Sequence, residues 1–319
     1  RPAMVSAAAG SMALVMAALI QSHGLEYMVA ATILTGGLQL LFGYLGIHKL
    51  IRYIPQTVMF GFVNALAILI FLAQVQQLPN QTIWSYLMVV SSIALIYLIP
   101  KFITVVPPAL IVILIMTLLS FFFKDRLQTV GNLGEMQTIT PKMMLPNVPF
   151  SFETLRIIFP TAFALTIVGL IESLLTIPIV DRMTNSTSDS QREVKAQGLA
   201  NLVTGLFGGQ AGCAMIGQAV INVKSGGRKR LSTLVSGLTL LLFIFVLKDL
   251  MLVIPTAALI GIMMTVAVAT FEWDSLRLFR SFELIESTIM LLTVASIVYT
   301  RNLAVGILLG VALSGLAYF

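Results

Sequence analysis

The sequence predicts an all-α polytopic membrane protein of about twelve spans, built as inverted repeats with two half-helices that meet at the midplane. Three observations carry this. The chain has 319 residues, of which 58% are hydrophobic and only 10% charged, with a mean hydropathy of +0.99. Soluble domains carry about 25% charged residues. Long apolar runs alternate with short polar turns. Two short segments made of small residues fall seven spans apart. The composition excludes a cytosolic enzyme, a nucleic-acid binder and a disordered scaffold. The net charge of +6 and pI near 9.6 come from cations in loops between apolar runs, so they report membrane topology and not a polyanion partner. One cysteine, Cys213, excludes a disulfide framework and a multi-thiolate metal site. The chain opens on Arg1-Pro2 with no initiator Met and no signal-peptide pattern, which predicts an internal stretch of a longer protein.

At about 20 apolar residues per crossing, the predicted spans are 5–21, 27–47, 55–76, 83–99, 104–123, 157–181, 194–208, 212–223, 231–247, 253–271, 283–299 and 302–318. Turn signals such as Gln76-Gln77-Leu78-Pro79-Asn80 and the basic run Lys224-Ser225-Gly226-Gly227-Arg228-Lys229-Arg230 separate them. The long connection from Lys124 to Arg156 is too polar to span. Pro107-Pro108 is expected to kink the fifth span, and Pro160 and Pro178 the sixth. One alternating set of loops holds twelve basic residues, from Lys49 and Arg52 to Arg277 and Arg280, and the other holds six, four of them in the long connection. The positive-inside bias puts the richer set, and both ends of the chain, on the cytoplasmic side of a cell membrane.

The two small-residue segments are Ala3 to Ala13 and Gly208 to Gln218, both dense in Gly, Ala and Ser. Small residues permit close helix packing, or they let an ion approach main-chain amides. As spans one and eight the two segments enter the membrane in opposite senses. That is the pattern of discontinuous helices in inverted repeats, where half-helix N-termini make an anion site from free N–H groups and dipole ends. If the second segment is the third element of its repeat, that repeat has seven spans and the first shows five, so two spans are expected before Arg1. The fold is then a 7+7 inverted-repeat transporter fold.

Most Asp and Glu residues lie in loops or at span ends; Glu172 is mid-span. A carboxylate facing lipid is costly, so Glu172 is expected to face the protein interior and to be paired, protonated or ion-bound. Its alternatives are a structural hydrogen bond to a neighbouring helix or a place on an ion path. Thr176, four residues on, shares its helix face, and its hydroxyl completes a candidate cation or proton site. An acid beside an anion site suits symport, because a co-bound cation offsets their repulsion. His23 and His48 read as interface histidines, and Cys213 as a small packing residue.

The chain resembles the SulP family of inorganic anion transporters, or sulfate permeases. The resemblance rests on Gln197-Gly198-Leu199-Ala200-Asn201, continuing through Gly212-Cys213-Ala214-Met215-Ile216-Gly217-Gln218 to Asn222-Val223-Lys224-Ser225-Gly226-Gly227-Arg228. Pro55-Gln56-Thr57-Val58-Met59-Phe60-Gly61-Phe62 and the opening Arg1-Pro2-Ala3-Met4 also match. It implies fourteen spans in two repeats of seven, with a core domain moving against a gate domain in an elevator-like cycle. The core would be 1–50 and 155–248, the gate 51–124 and 249–319, and 125–154 an extracytoplasmic loop. It implies anion binding at Ala9, Gly10 and Ser11 facing Ala214, Met215 and Ile216, and a coupling-ion role for Glu172 with Thr176. It also implies two spans before this chain and a STAS domain after it. Sodium-coupled bicarbonate members carry Asp at the acid and a hydroxyl on the second half-helix. Glu172 and Ile216 stand at those positions here, which favours a proton.

The resulting expectation is a secondary transporter of a small inorganic anion, bicarbonate or sulfate, coupled to Na+ or H+. It needs no cofactor or metal and no nucleic acid. Its partners are the anion and the lipid bilayer, and a homodimer is compatible with it. The alternatives are a dicarboxylate transporter, an uncoupled anion channel or exchanger, and a nucleobase permease of the same fold. A membrane enzyme is the weakest alternative, and no enzyme activity is expected, because no nucleophile–base cluster and no metal-ligand set falls in the spans.

Overall fold

The protein is described from a computed structural model that covers residues 2–46, 55–79, 81–103, 106–123, 126–133, 143, 145–278, 284–301 and 303–318. His48 and the loop residues Lys49, Arg52, Lys124, Lys142 and Arg280 of the topology argument lie outside the described residues. Among the described residues there are fourteen α-helices: α1 Gly10–His23, α2 Leu25–Leu45, α3 Gln56–Val75, α4 Ile83–Leu98, α5 Pro108–Ser120, α6 Phe152–Thr184, α7 Ser190–Leu206, α8 Ile216–Lys224, α9 Arg230–Val246, α10 Lys248–Leu252, α11 Thr256–Thr270, α12 Asp274–Leu278, α13 Leu284–Thr300 and α14 Leu303–Tyr318. Three 3-10 turns, Ile99–Lys101, Phe121–Phe123 and Val130–Leu133, and two short strands, β1 Ser6–Ala7 and β2 Cys213–Ala214, complete the set. Each of the twelve expected spans contains one of the longer helices.

Four boundaries differ from expectation, each for a physical reason. The first and eighth spans open as extended chain. The strands β1 and β2 pair, and the helices start only at Gly10 and Ile216. The fifth span starts at Pro108 instead of kinking there. A proline at the first helical position lacks only an N–H that has no intrahelical partner anyway. Helix α6 reaches back to Phe152, so Arg156 is in its second turn and not in the connection. Ser151 starts it early, because its hydroxyl accepts the Thr154 N–H at 3.1 Å. Pro160 and Pro178 lie within this 33-residue helix, which ends at Asn185 in the left-handed conformation (φ 48°).

Among the described residues, four helical segments are long and apolar enough to cross a bilayer: Leu25–Leu45, Gln56–Val75, Ile83–Lys101 and Phe152–Thr184. Five shorter apolar helices accompany them, over Pro108–Phe123, Arg230–Val246, Thr256–Thr270, Leu284–Thr300 and Val305–Ala317. Large apolar side chains stay exposed along them, among them Leu110, Leu114 and Leu118 on α5. Such a surface suits lipid and not water.

The chain forms two compact units, residues 1–62, 139–238 and 283–319, and residues 63–138 and 239–282. In the first, α2 lies against α7 through glycines. A Cβ on Gly36 would stand 2.5 Å from the Leu202 amide nitrogen and 2.7 Å from the Gly198 carbonyl oxygen. A Cβ on Gly198 would stand 2.7 Å from the Leu40 amide nitrogen. Gly43 and Gly205, each seven residues on, continue the seam against Lys195 and Ile33. Seven residues are about two helical turns, so each pair of glycines lies on one face. Helices α13 and α14 pack together in the same unit, with Gly306 against Ile297.

In the second unit α4 packs on α11, with Gly261 against the Val89 carbonyl oxygen. Met88, Val89, Val112, Met116, Ala257, Ala258 and Ile260 form its apolar core. Asn64 joins α3 to α12, donating to the Ser275 hydroxyl at 2.7 Å and accepting the Glu272 N–H at 2.9 Å.

Candidate functional site

The expected site residues converge on the two strands. β1 and β2 are antiparallel, with Ser6 opposite Ala214 and Ala7 opposite Cys213. Ala9 is the N-cap of α1, and Gly10 and Ser11 are its first two residues. Ala214 ends β2, Met215 is the N-cap of α8, and Ile216 is its first residue. Because the strands run in opposite directions, the two helices leave the pair at opposite ends, each with its N-terminus at the pair.

Neither N-terminus has a side-chain cap. Ala9 and Met215 carry no oxygen that could supply one. The first helical bonds run from Ala13 N–H to the Ala9 carbonyl oxygen at 2.9 Å and from Ala219 N–H to the Met215 carbonyl oxygen at 3.0 Å. The amides ahead of these have no intrahelical acceptor. The crossing therefore presents two sets of backbone donors and two positive dipole ends, an arrangement that attracts an anion without a lysine or arginine.

Helix α6 holds β2 through three residues. Half-buried Glu172 accepts a hydrogen bond from the buried Cys213 thiol, with Sγ to Oε2 at 2.6 Å. The Ser173 hydroxyl accepts the Ala214 N–H at 3.1 Å. Thr176 is buried, and its hydroxyl lies 2.8 Å from the Glu172 carbonyl oxygen and 3.2 Å from the Ala214 carbonyl oxygen. The Thr176 proton thus points at main-chain carbonyls, while its oxygen lone pairs remain as acceptors. Cys213 does more than pack, which corrects the reading of it as a small filler: its thiol is a hydrogen-bond partner of the intramembrane acid.

Helix α7 grips the other side. Asn201 accepts the Gly212 N–H at 2.8 Å and donates to the Gly212 carbonyl oxygen at 3.0 Å and to Gln39 Oε1 at 2.8 Å. Gln197 donates to the Gly212 carbonyl oxygen at 2.8 Å and accepts from the Ser6 hydroxyl at 2.9 Å. Both sides of the crossing are thereby tied to α7. Asn222 of α8 donates to the Ala3 carbonyl oxygen at 2.8 Å, fixing the start of the first segment. Sequence reasoning missed Gln39, Ser173, Gln197 and Asn201 as parts of the site. The signal was present: Gln197 and Asn201 are amides spaced i, i+4 in a span, so they share one helix face.

Among the described residues no group of three or more His, Cys, Asp or Glu could hold a metal ion.

A helical chain with several segments long and apolar enough to cross a bilayer, and two extended breaks that pair beside a half-buried acid, defines a multi-pass membrane protein. The profile of the sulfate permease family matches residues 2–94 and 76–293, and the chain belongs to that family, one of transporters and not of enzymes. YbaR of Bacillus subtilis (strain 168) is 49% identical over 318 residues, covering 100% of this chain and 66% of that protein. The bicarbonate transporter BicA of Picosynechococcus sp. (strain ATCC 27264 / PCC 7002 / PR-6) is 31% identical over 309 residues, covering 86% of this chain and 54% of that one. The chain thus spans between half and two thirds of these relatives. The transmembrane domain of a cyanobacterial BicA superposes with a TM-score of 0.82 at 26% identity, covering 97% of this chain and 84% of that one. SLC26A9 shares the fold alone, with a TM-score of 0.85 at 19% identity over 99% of this chain and 57% of that one.

Proposed function

We propose that the protein is a secondary active transporter of a small inorganic anion, bicarbonate or sulfate, which binds between the N-termini of α1 and α8 and moves with a coupling ion. The observation that carries this reading is the crossing itself: two uncapped helix N-termini with the Glu172–Cys213 hydrogen bond beside them. An anion there takes main-chain donors at Gly10, Ser11, Ile216 and the residues that follow, and nearby Ala9, Ala214 and Met215 shape the pocket. Membership of the sulfate permease family and the likeness to a bicarbonate transporter support both candidate anions.

Glu172 carries the coupling ion, with Thr176 beside it. Of Na+ and H+, Glu172 and Ile216 at the positions of a sodium site's Asp and hydroxyl favour H+, and the thiol opposes a sodium shell. A sodium shell needs oxygen acceptors only, whereas Cys213 points a donor at the carboxylate. A carboxylate that takes up a proton as the anion enters removes the repulsion between them. In this reading residues 1–50 and 155–248 form a core that moves in an elevator-like cycle, 51–124 and 249–319 form the gate, and 125–154 lie outside the cytoplasm. The basic loops, with both ends of the chain, face the cytoplasm, and the assembly is a homodimer.

The test is uptake by the full-length protein in proteoliposomes. Radiolabelled bicarbonate, sulfate and fumarate are offered in turn, with an inward proton gradient, an inward sodium gradient or neither. Accumulation of one inorganic anion driven by the proton gradient is the expected result. Equal fluxes with and without gradients would move the protein to the channel or exchanger class, and fumarate uptake alone would make it a dicarboxylate carrier.

A further inference from the structure

The hydrogen-bond chain above leaves one donor over, and its orientation follows from the network. Gly212 N–H has only a proton to give, so the Asn201 atom it meets is the oxygen. Asn201 therefore turns its NH2 to Gln39, and the Gln39 atom it meets is again the oxygen. The Gln39 NH2 is then forced to the far side. Gln39 is fully buried, and its Nε2 has no hydrogen-bond partner among the described residues. A buried donor without a partner is costly and is rare in folded proteins.

The place this amide occupies is informative. Nε2 lies 3.0 Å from where a Cβ on Gly169 would stand. The same spot is 2.5 Å from the Met12 methyl group and 3.6 Å from the Cys213 Cβ. Met12 belongs to the first turn of α1, Cys213 to β2, and Gly169 sits one turn before Glu172 on the same face of α6. The spare amide thus borders the crossing. The flexible methionine tip and the amide share the space over a glycine that offers no side chain.

We propose that the Gln39 amide is a side-chain donor to the transported oxyanion, uncovered when the Met12 side chain swings away from Gly169. The inference rests on the anion-transport reading and adds a third direction of contact to the two helix ends. Such a donor favours an anion with several acceptor oxygens, such as bicarbonate or sulfate, over a bare halide. The unmet donor also disfavours the Met12-closed arrangement relative to the anion-bound one.

The experiment compares wild type, Gln39→Glu and Gln39→Met in proteoliposomes of the full-length protein, with labelled bicarbonate and sulfate, and reads KM and Vmax separately beside thermal melting. Gln39→Glu keeps the oxygen that Asn201 uses and replaces the donor with an acceptor. Gln39→Met keeps the length and removes the donor without adding charge. The expected result is a KM raised about tenfold or more in both, with Vmax within about twofold of wild type. A KM equal to wild type in a folded variant, with only the melting temperature lowered, overturns the proposal and makes Gln39 a purely structural link. Absence of uptake of any anion by wild type refutes the transport reading instead.

Discussion

Glu172→Gln is expected to abolish gradient-driven accumulation while leaving the fold and the anion's access intact. Glutamine keeps an oxygen that can accept the Cys213 thiol hydrogen bond, so β2 stays anchored to α6. It cannot take up or release a proton. With one proton moved per monovalent anion such as bicarbonate, the cycle is electroneutral and an inward gradient of one pH unit supports about tenfold accumulation. The variant should bring that ratio to about one, with passive exchange of labelled for unlabelled anion retained. The measurement is the steady-state ratio of labelled anion inside and outside proteoliposomes. An unchanged ratio would remove Glu172 from coupling and leave it a structural hydrogen-bond acceptor.

The largest effect on stability is expected at the seam between α2 and α7. A methyl group on Gly198 meets the Leu40 amide nitrogen at 2.7 Å and the Gly36 carbonyl oxygen at 2.9 Å. These are backbone atoms of a helix and cannot turn aside as a side-chain tip can. Gly198→Ala should cost about 1–3 kcal/mol, and Gly198→Leu should prevent recovery of folded protein. Gly37→Ala is the control, because a Cβ there meets nothing within 4 Å, and alanine favours the helix by about 1 kcal/mol over glycine. Thermal unfolding in detergent should rank Gly37→Ala at or above wild type and Gly198→Ala well below. Equal melting temperatures for the two alanine variants would contradict the close backbone contact.

Much of this architecture was legible in the residues. The apolar runs located every long helix, since a bilayer demands about 20 apolar residues whatever the fold. The small-residue segments marked residues 3–13 and 208–218, and the family resemblance narrowed them to Ala9–Ser11 and Ala214–Ile216, which stand at the two helix starts. Other features were hidden because they depend on partners distant in the chain. The pairing of Ala7 with Cys213 spans about two hundred residues, and no local pattern announces a two-residue strand. Gln39 and Asn201 are 162 residues apart; each alone is one amide in an apolar helix. Cys213 looked like a filler because cysteine is a small apolar residue in most cores, and only the approach of Glu172 makes its thiol a donor. The glycine seam escaped for a related reason: glycine in a span is common, and only the matched spacing of Gly36 with Gly43 and Gly198 with Gly205 distinguishes a contact face.

The central claim is that the anion sits on the two helix N-termini. Gly217 tests it most directly. It is the second residue of α8, and a Cβ there meets nothing within 4 Å. Gly217→Asp therefore adds a carboxylate without a clash, at a helix end that tolerates or welcomes negative charge. The carboxylate occupies the donors that the anion needs. Equilibrium binding of the labelled transported anion to purified Gly217→Asp should fall to background, with a melting temperature equal to or above wild type. Binding at wild-type affinity by the folded variant would place the anion elsewhere and contradict the account.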